Sequence, residues 1–338
     1  MSKIAAGAVA FLIIVGIYLT FKSDTTETLS TPASAKRSTS NSVETVSPLG
    51  DKFGLKPSSE ERVKKGYFKS DVQTPQNTSW TEIKNKFLPS AEKGDAEAIE
   101  ILYASTLQCH NFFYLRGNID GILNQLKGDD VHSSILEAYG RKLAEVQKAL
   151  AESKAMCEDV PEKDVDDLVM TTVRLAAEQG DGSGQACYLA GALFGRYDSQ
   201  PEDVKRAYGT EAIKIANQGL RAGNWEILPI LANAFSVGQD DDAKGWIGRH
   251  IRPSAIAEYS ILFLIKRGMN STGMSTGAAL QGPFVNLDGA LEALKENNRL
   301  PSDDVRNAES WANEMYLRNF SQYPFPTELS PCPWQTRL

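Results

Sequence analysis

The chain is poor in the residues from which metal centres and hydrolytic sites are built. It has only three histidines, His110, His132 and His250, and none has a sequence neighbour that would form a base or ligand cluster. It has no Cys-x-x-Cys pair and no closely spaced pair of histidines, so the ligand spacing of zinc sites is missing. We therefore expect no metal, no cofactor and no catalytic activity.

Two short patterns of catalytic type occur without the context that their chemistry needs. Gly273-Met274-Ser275-Thr276-Gly277 has the spacing of a nucleophile elbow, which requires a preceding strand and a later histidine, yet no histidine follows His250. Ser90-Ala91-Glu92-Lys93 has the Ser-x-x-Lys spacing without companion motifs. Carboxylates are plentiful, as at Asp166-Asp167 and Asp240-Asp241-Asp242, which leaves a carboxylate-dependent cell-wall enzyme as an alternative function.

Strand signals are also scarce. Sustained alternation of Val, Ile and Thr is absent, and no Asn-Gly or Asp-Gly turn lies between two such runs. Beyond about residue 60, Ala, Leu and Ile recur at spacings of three and four, which predicts an all-α domain. The predicted helices are 79–93, 95–108, 132–156, 162–179, 183–195, 201–219, 224–237, 253–267, 286–297 and 302–319.

The charge is unevenly distributed along the chain. Residues 1–22 carry +2 and residues 23–60 carry −1, which leaves −8 on the remainder for the total of −7. A body this acidic is poorly suited to neutralise phosphates, so nucleic acid is not expected as a partner.

One long uncharged run is present, at the N-terminus. The eighteen residues Ile4–Phe21 carry no charge, and as a helix they span roughly 27 Å, close to the ~30 Å hydrocarbon core of a bilayer. We interpret residues 1–22 as a transmembrane anchor. The alternative is a cleaved secretory signal, but its nearest small-x-small site, Ala33-Ser34-Ala35, lies more than ten residues beyond Phe21.

The orientation of the anchor is indicated by opposing signals. Lys22, Lys36 and Arg37 follow the apolar run and only Lys3 precedes it, so the positive-inside count slightly disfavours an exported body. A short N-terminal tail before a single anchor favours export, as does the even number of cysteines. We predict an inner-membrane, single-pass protein whose body faces the periplasm.

Three further segments follow the anchor. Residues 23–60 are rich in Ser and Thr with few large apolar residues, which predicts a disordered tether. Residues 61–322 have the helical pattern. Residues 323–338 are rich in proline and are predicted to form an extended tail packed on the body.

The four cysteines allow three complete pairings. Cys109 and Cys157 each follow a predicted helix end and bracket the insertion 110–156, which favours a bond between them. Cys187 lies within a predicted helix, where a buried free thiol is the ordinary explanation. The alternative for Cys187 is a bond to Cys332, which would hold the tail on the body.

A short segment is repeated along the chain. Residues 91–98 read Ala-Glu-Lys-Gly-Asp-Ala-Glu-Ala, residues 177–184 read Ala-Glu-Gln-Gly-Asp-Gly-Ser-Gly, and residues 220–225 are a weaker copy. The glycine is predicted to end one helix, and the Asp or Asn after it to cap the next. Small residues would let the two antiparallel helices approach closely.

These segments resemble the junctions of Sel1-like repeats, which are relatives of the tetratricopeptide repeats. The resemblance is strongest over 175–219, and its matching residues are Leu175, Ala176, Ala177, Gly180, Asp181, Leu189, Gly191, Asp203, Arg206, Ala207, Tyr208, Ala212, Ala216 and Gly219. It covers under half of the body, and the glycine spacings of 86 and 43 residues depart from the near-constant repeat of the family. The resemblance therefore implies an irregular α-α helical-repeat domain.

The resemblance also implies a function, because Sel1-like repeats usually mediate protein contacts through their concave face. We expect a membrane-tethered adaptor or inhibitor of an envelope protein. The candidate partner-binding residues are the aromatic residues Trp225, Phe235, Trp246, Tyr259 and Trp311. The layout of anchor, tether and helical body leaves a folding helper for a secreted client as a second alternative.

Overall fold

The computed structural model describes residues 78–126, 133–239, 244–273, 286–326 and Cys332. Within these residues the chain forms eleven α-helices and no β-strand, which confirms the all-α class. In chain order the helices are α1 (Trp80–Ala91), α2 (Ala96–Leu126), α3 (Ser133–Cys157), α4 (Glu162–Glu178), α5 (Gly182–Ala190), α6 (Glu202–Ala222), α7 (Leu228–Phe235), α8 (Gly245–Gly248), α9 (Ala255–Ser271), α10 (Leu287–Asn297) and α11 (Ser302–Met315).

Three short helical turns complete the fold. Two are 3-10 turns, Tyr197–Ser199 before α6 and Trp225–Ile227 before α7, and the π-helical turn Tyr316–Phe320 continues α11. The predicted anchor 1–22 and tether 23–60 lie outside the described residues, as do His132 and Met274–Gly277 of the elbow pattern. Among the helices that the structure describes, none is both long and apolar enough to cross a bilayer.

Two predicted helix ends were wrong. Helix α2 was expected to end near residue 108 but runs to Leu126, because residues 109–126 contain no proline and Phe112 and Leu115 continue its buried face. Helix α5 was expected to reach residue 195 but ends at Ala190, because Gly191 adopts a left-handed conformation with φ +66°.

Helices α2 and α3 form an antiparallel pair, since only residues 127–132 separate them. Within the described residues, α3 packs mainly against α2. Val146 is buried in this contact region, and the Gln108 amide donates to the Ser153 hydroxyl at 3.2 Å. The predicted bond between Cys109 and Cys157 is present and joins the base of the pair, with their Cα atoms 5.2 Å apart.

The second disulfide joins Cys187 of α5 to Cys332 of the tail, with Cα atoms 4.7 Å apart. The interpretation of Cys187 as a free thiol was therefore wrong, and all four cysteines of the chain are paired. Both half-cystines are fully buried. The bond fixes this point of the tail against the middle of the domain.

The repeated segments form three junctions with the same backbone geometry. Their glycines, Gly94, Gly180 and Gly223, have φ values of +87°, +87° and +68°. In each junction the residue after the glycine donates its N–H to the carbonyl five positions earlier, over distances of 3.1 Å (Asp95 to Ser90), 3.1 Å (Asp181 to Ala176) and 2.9 Å (Asn224 to Gly219). This is the Schellman bond that ends helices, and the same Asp or Asn side chain then caps the following helix.

Amide side chains link one junction to the next. Gln179 donates to the Gly94 carbonyl at 3.4 Å and Gln218 to the Glu178 carbonyl at 3.1 Å, each in the preceding junction. Asn319 of the π-helical turn donates to the Leu220 carbonyl of the third junction at 3.2 Å. The buried Asn224 amide also donates to the Gly182 carbonyl and to the Gln185 side chain. The three junctions therefore lie next to one another along the same side of the domain.

The junction geometry recurs once more, with arginine in the place of glycine. Between α10 and α11 the Leu300 N–H donates to the Lys295 carbonyl at 3.0 Å, and Arg299 has φ +48°. Because a left-handed conformation is costly for a residue with a Cβ, we expect Arg299→Gly to raise the free energy of unfolding by about 0.5–1 kcal/mol. Gly94→Ala, with no side-chain clash at its Cβ, should lower it by a similar amount.

Chemical denaturation of the two variants checks this pair of predictions. Gly94 and Arg299 occupy the same position in two turns of the same type. The two substitutions should therefore change the free energy of unfolding in opposite directions. A destabilised Arg299→Gly variant would contradict the prediction that the left-handed conformation costs stability at Arg299.

Candidate functional site

The five aromatic residues predicted to contact a partner are all in the core. Their exposed fractions are 3% for Trp225, 0% for Phe235, 5% for Trp246, 1% for Tyr259 and 8% for Trp311. Large rings stabilise a fold when they leave water, and here each ring packs within the central hydrophobic cluster. They are therefore corrected to core residues, since almost no ring surface is left for a partner.

The polar atoms of these rings are bonded inside the domain. Trp246 donates its indole N–H to the Gly195 carbonyl at 3.1 Å, and Tyr259 donates its hydroxyl to Glu309 at 2.7 Å. Burial, together with the Glu309 bond, raises the pKa of Tyr259 to about 12. The phenol thus stays protonated and tethers α9 to α11.

A different group of residues combines an aromatic ring, cations and a histidine at the surface. We call Tyr197, Lys205, Arg249 and His250 the Tyr197 patch. Tyr197 begins the 3-10 turn after α5, Lys205 lies in the first turn of α6, and Arg249 and His250 follow α8. The patch is therefore supplied by two neighbouring segments, the turn at Tyr197 and the start of α6, and by a third about fifty residues later.

The Tyr197 ring is held from several sides. Its hydroxyl is hydrogen-bonded to His250 Nε2 at 2.8 Å, and its ring meets the Trp246 ring edge to face at 5.2 Å. Lys205 Nζ lies 5.5 Å from the ring centroid, and the Arg249 guanidinium carbon lies 5.8 Å from it. Tyr197 nevertheless remains only partly buried. The ring is thus held in place while part of it still faces solvent.

The two cationic side chains of the patch are mostly buried and paired with carboxylates. The side chains of Lys205 and Arg249 are 16% and 21% exposed, and they contact Glu202 at 2.8 Å and Asp198 at 3.5 Å. The hydrogen bond from Lys205 lowers the pKa of Glu202, and the same bond raises the pKa of Lys205. Both groups are therefore charged at neutral pH, and the patch presents an aromatic ring bordered by two ion pairs, whose carboxylates on Glu202 and Asp198 are 81% and 63% exposed.

His250 packs against α6 at a glycine, where the helix has no side chain. A Cβ on Gly209 of α6 would lie 2.4 Å from His250 Nδ1, so only glycine allows the imidazole to sit on this turn. Burial lowers the pKa of His250. The histidine is thus neutral at pH 7 and acts as the hydrogen-bond partner that orients Tyr197.

This burial predicts a pH effect on stability. The unfolded chain takes up a proton at its histidine as the pH falls through about 6.5, whereas folding favours the neutral ring of His250. We expect the domain to lose stability between pH 7 and pH 5 more steeply than a His250→Asn variant does. Urea unfolding at both pH values measures the difference in slope, and equal slopes would contradict the prediction.

The other histidine that the structure describes has a simpler environment. His110 Nδ1 lies 2.9 Å from Asp166 Oδ1, with the two side chains 25% and 50% exposed. Across the described ranges, no three His, Cys, Asp or Glu side chains converge in a group that could hold a metal ion. The Asp240-Asp241-Asp242 run lies outside them.

The Tyr197 patch was missed because nothing local marks it. Tyr197 and His250 are separated by more than fifty positions, and the contact depends on Gly209 and on the path of the chain around Trp246. Tyr208 and Gly191, which pack beside it, lie within residues 175–219, where the resemblance to Sel1-like repeats is strongest. None of the residues on which the resemblance rests belongs to the patch itself.

No protein-family model, curated protein or solved structure matches this chain.

Proposed function

We propose that the protein is a membrane-tethered, periplasmic protein-binding module, an adaptor or inhibitor of an envelope protein, built on degenerate Sel1-like repeats. In this proposal the Tyr197 patch is the anchor for the partner. The protein acts by occupancy of a partner surface and carries out no reaction of its own.

The observation that supports it is the set of three equivalent junctions. They share a glycine, a bond to the carbonyl five positions earlier and an Asp or Asn cap, and amide side chains connect them in order. Repeat proteins are built in this way, from similar helical units that each contact their neighbours, and they use the resulting surfaces for binding. The irregular spacing reflects helices such as α3 inserted between units.

The composition of the Tyr197 patch supports its role as the anchor. Tyrosine and arginine are enriched among the residues that dominate binding energy at protein interfaces. The bond to His250 and the packing on Trp246 fix the Tyr197 ring before a partner arrives, which reduces the entropy lost on binding.

The disulfides are consistent with the proposed location. Disulfides persist in oxidising compartments such as the periplasm and are rare in the cytosol. Both pairs are buried and join parts of the chain that are 48 and 145 residues apart, as expected of structural bonds.

The test is affinity capture of a partner from envelope extract with three versions of the full chain. Wild type, Tyr197→Ala and Tyr114→Ala are used as bait, because Tyr114 is 52% exposed on α2 and serves as the matched control. A protein recovered in stoichiometric amount by wild type and Tyr114→Ala should be lost with Tyr197→Ala. With the purified partner, Tyr197→Ala should weaken affinity by about 30-fold, the loss typical of a hot-spot residue.

A folded-state control separates binding from stability. Tyr197→Phe keeps the ring and removes only the bond to His250, so it should bind more tightly than Tyr197→Ala. Equal capture by wild type and Tyr197→Ala would refute the Tyr197 patch as the partner-binding site. No stoichiometric partner with any bait would refute the binding module itself.

A further inference from the structure

The imidazole of His250 lies between the exposed ring of the Tyr197 patch and the body of the domain. Its Nε2 is bonded to the Tyr197 hydroxyl at 2.8 Å, and the two rings meet edge to face with centroids 5.6 Å apart. On its inner side it contacts the Tyr208 ring, with centroids 5.6 Å apart, and the α6 backbone at Gly209. His250 is only half-buried, so its ring can exchange protons with solvent. The group that orients Tyr197 is therefore also one that titrates.

This position suits an imidazole with one ring proton better than an imidazolium with two. Nε2 and the Tyr197 hydroxyl share one hydrogen bond, whose direction depends on the tautomer. Nδ1 lies beside Gly209, only 2.4 Å from where a Cβ would be, and among the described residues it has no hydrogen-bond partner. In an imidazolium, Nε2 can no longer accept the hydroxyl proton, and the Nδ1–H lies against the helix without an acceptor.

The neighbouring groups also favour the neutral ring. The titratable and charged groups around the contact come from three segments: Asp198 from the 3-10 turn, Glu202, Lys205 and Tyr208 from α6, and Arg249 beside His250. The two carboxylates contact the two cations, and in the described part of the chain no carboxylate forms an ion pair with His250. Burial lowers the pKa of His250 and raises that of Tyr208, which stays neutral. A proton on His250 therefore has no counter-charge, and the charged ring should turn out toward solvent.

The buried rings beneath the patch do not depend on His250. Trp246 is held by its indole bond to the Gly195 carbonyl at 3.1 Å and by its edge-to-face contact with Phe194. Departure of the imidazole would therefore remove one support of the Tyr197 ring and leave the cluster on which that ring packs. The expected change is local, and it differs in this respect from the loss of global stability in acid.

We propose that His250 is a pH-sensitive switch for the Tyr197 patch: the neutral imidazole holds the Tyr197 ring in the orientation that a partner binds, and the imidazolium leaves its place beside Gly209 and frees the ring. The partner is thus bound at neutral pH and released in mildly acidic surroundings. The statement about a partner rests on the proposed function, whereas the movement of the ring does not.

The test follows the exposure of Tyr197 in the full chain without any partner. Hydroxyl radicals oxidise exposed rings, and mass spectrometry compares Tyr197 with Tyr114, which is 52% exposed. From about pH 7.5 to about pH 5, the ratio of Tyr197 to Tyr114 labelling should rise about twofold, because the half-buried ring becomes exposed as the histidine is protonated. Tyr259, which is 1% exposed, reports global unfolding, and only pH values at which it stays protected are compared.

Two histidine variants are the controls. His250→Asn has a neutral amide that does not titrate, so its labelling ratio should not change with pH. His110→Asn removes the other histidine that the structure describes and should keep the rise seen in wild type. A constant ratio in wild type would overturn the proposal even if the His250 variant does not fold, and so would a rise that persists in His250→Asn.

A second measurement uses the purified partner of the capture experiment. Its affinity for wild type should fall about fivefold over the same pH range, the loss expected when one side chain is no longer oriented before binding. Tyr197→Phe, which lacks the hydroxyl, should show a smaller change. A rise in labelling without a change in affinity would overturn the switch as a control of binding. A rise in labelling when no partner can be recovered would support the movement of the ring and contradict the proposed function.

Discussion

Gly191→Ala is expected to destabilise the domain by about 3–4 kcal/mol. A Cβ at this position would lie 2.0 Å from Cγ and 2.3 Å from Cδ1 of Trp246. The backbone also has φ +66°, which disfavours any residue with a Cβ. Overpacking and backbone strain therefore act together.

Trp246 has little freedom to move away from such a methyl group. Its ring meets Phe194 at 5.3 Å and Tyr208 at 5.1 Å, and its indole N–H is bonded to the Gly195 carbonyl. Relief of the clash would have to displace the aromatic cluster behind Tyr197. We therefore expect the loss of stability to be accompanied by a change in tryptophan fluorescence.

Gly238→Ala is the matched control, and urea denaturation is the measurement. Gly238 has φ +86°, but nothing lies within 4 Å of its Cβ position, so only the backbone cost of about 1 kcal/mol should remain. Equal losses of stability in the two variants would contradict a destabilising clash between a Cβ at position 191 and the Trp246 ring.

Removal of the Cys109–Cys157 bond, as Cys109→Ala with Cys157→Ala, is expected to cost about 4 kcal/mol. The bond closes a loop over a sequence separation of 48, and the chain-entropy relation gives this order of magnitude for such a loop. Because α3 packs mainly against α2, the bond is also the principal covalent restraint on that helix.

The location of the effect is as diagnostic as its size. Hydrogen exchange should accelerate most in α3. Helices α9 and α11, which come much later in the chain, should lose protection only through global unfolding. Ser153→Ala, which removes the single bond to Gln108, should cost about 1 kcal/mol and serves as the control within the same contact. Uniform acceleration across the domain would contradict a local role for the bond.

Local chemistry made the helix junctions predictable. At Gly94 and Gly180 the glycine and the following aspartate together determine how one helix ends and the next begins, and both signals lie within five residues. The same argument could not find the turn at Arg299, because arginine does not mark a left-handed position. There α10 and α11 both pack against α9, and the turn between them has a conformation that arginine itself disfavours.

Other features depend on long-range packing and could not be predicted from the sequence. The pairing of Cys187 with Cys332 was one of two interpretations, since nothing near Cys187 distinguishes a buried thiol from a half-cystine. Aromatic residues such as Trp246 and Tyr259 were assigned to a binding surface, although amphipathic helices bury their largest rings. The Tyr197 ring packs on the outer side of that buried aromatic cluster and therefore stays partly exposed.

The most direct test of the central claim is site-specific photo-cross-linking in the intact cell envelope. A photoreactive side chain at Arg196, exposed beside Tyr197, is compared with one at Tyr114 on α2. We predict one defined protein adduct from position 196 and none from position 114. Adducts from position 114 alone, or from neither position, would contradict the assignment of the Tyr197 patch as the partner-binding surface.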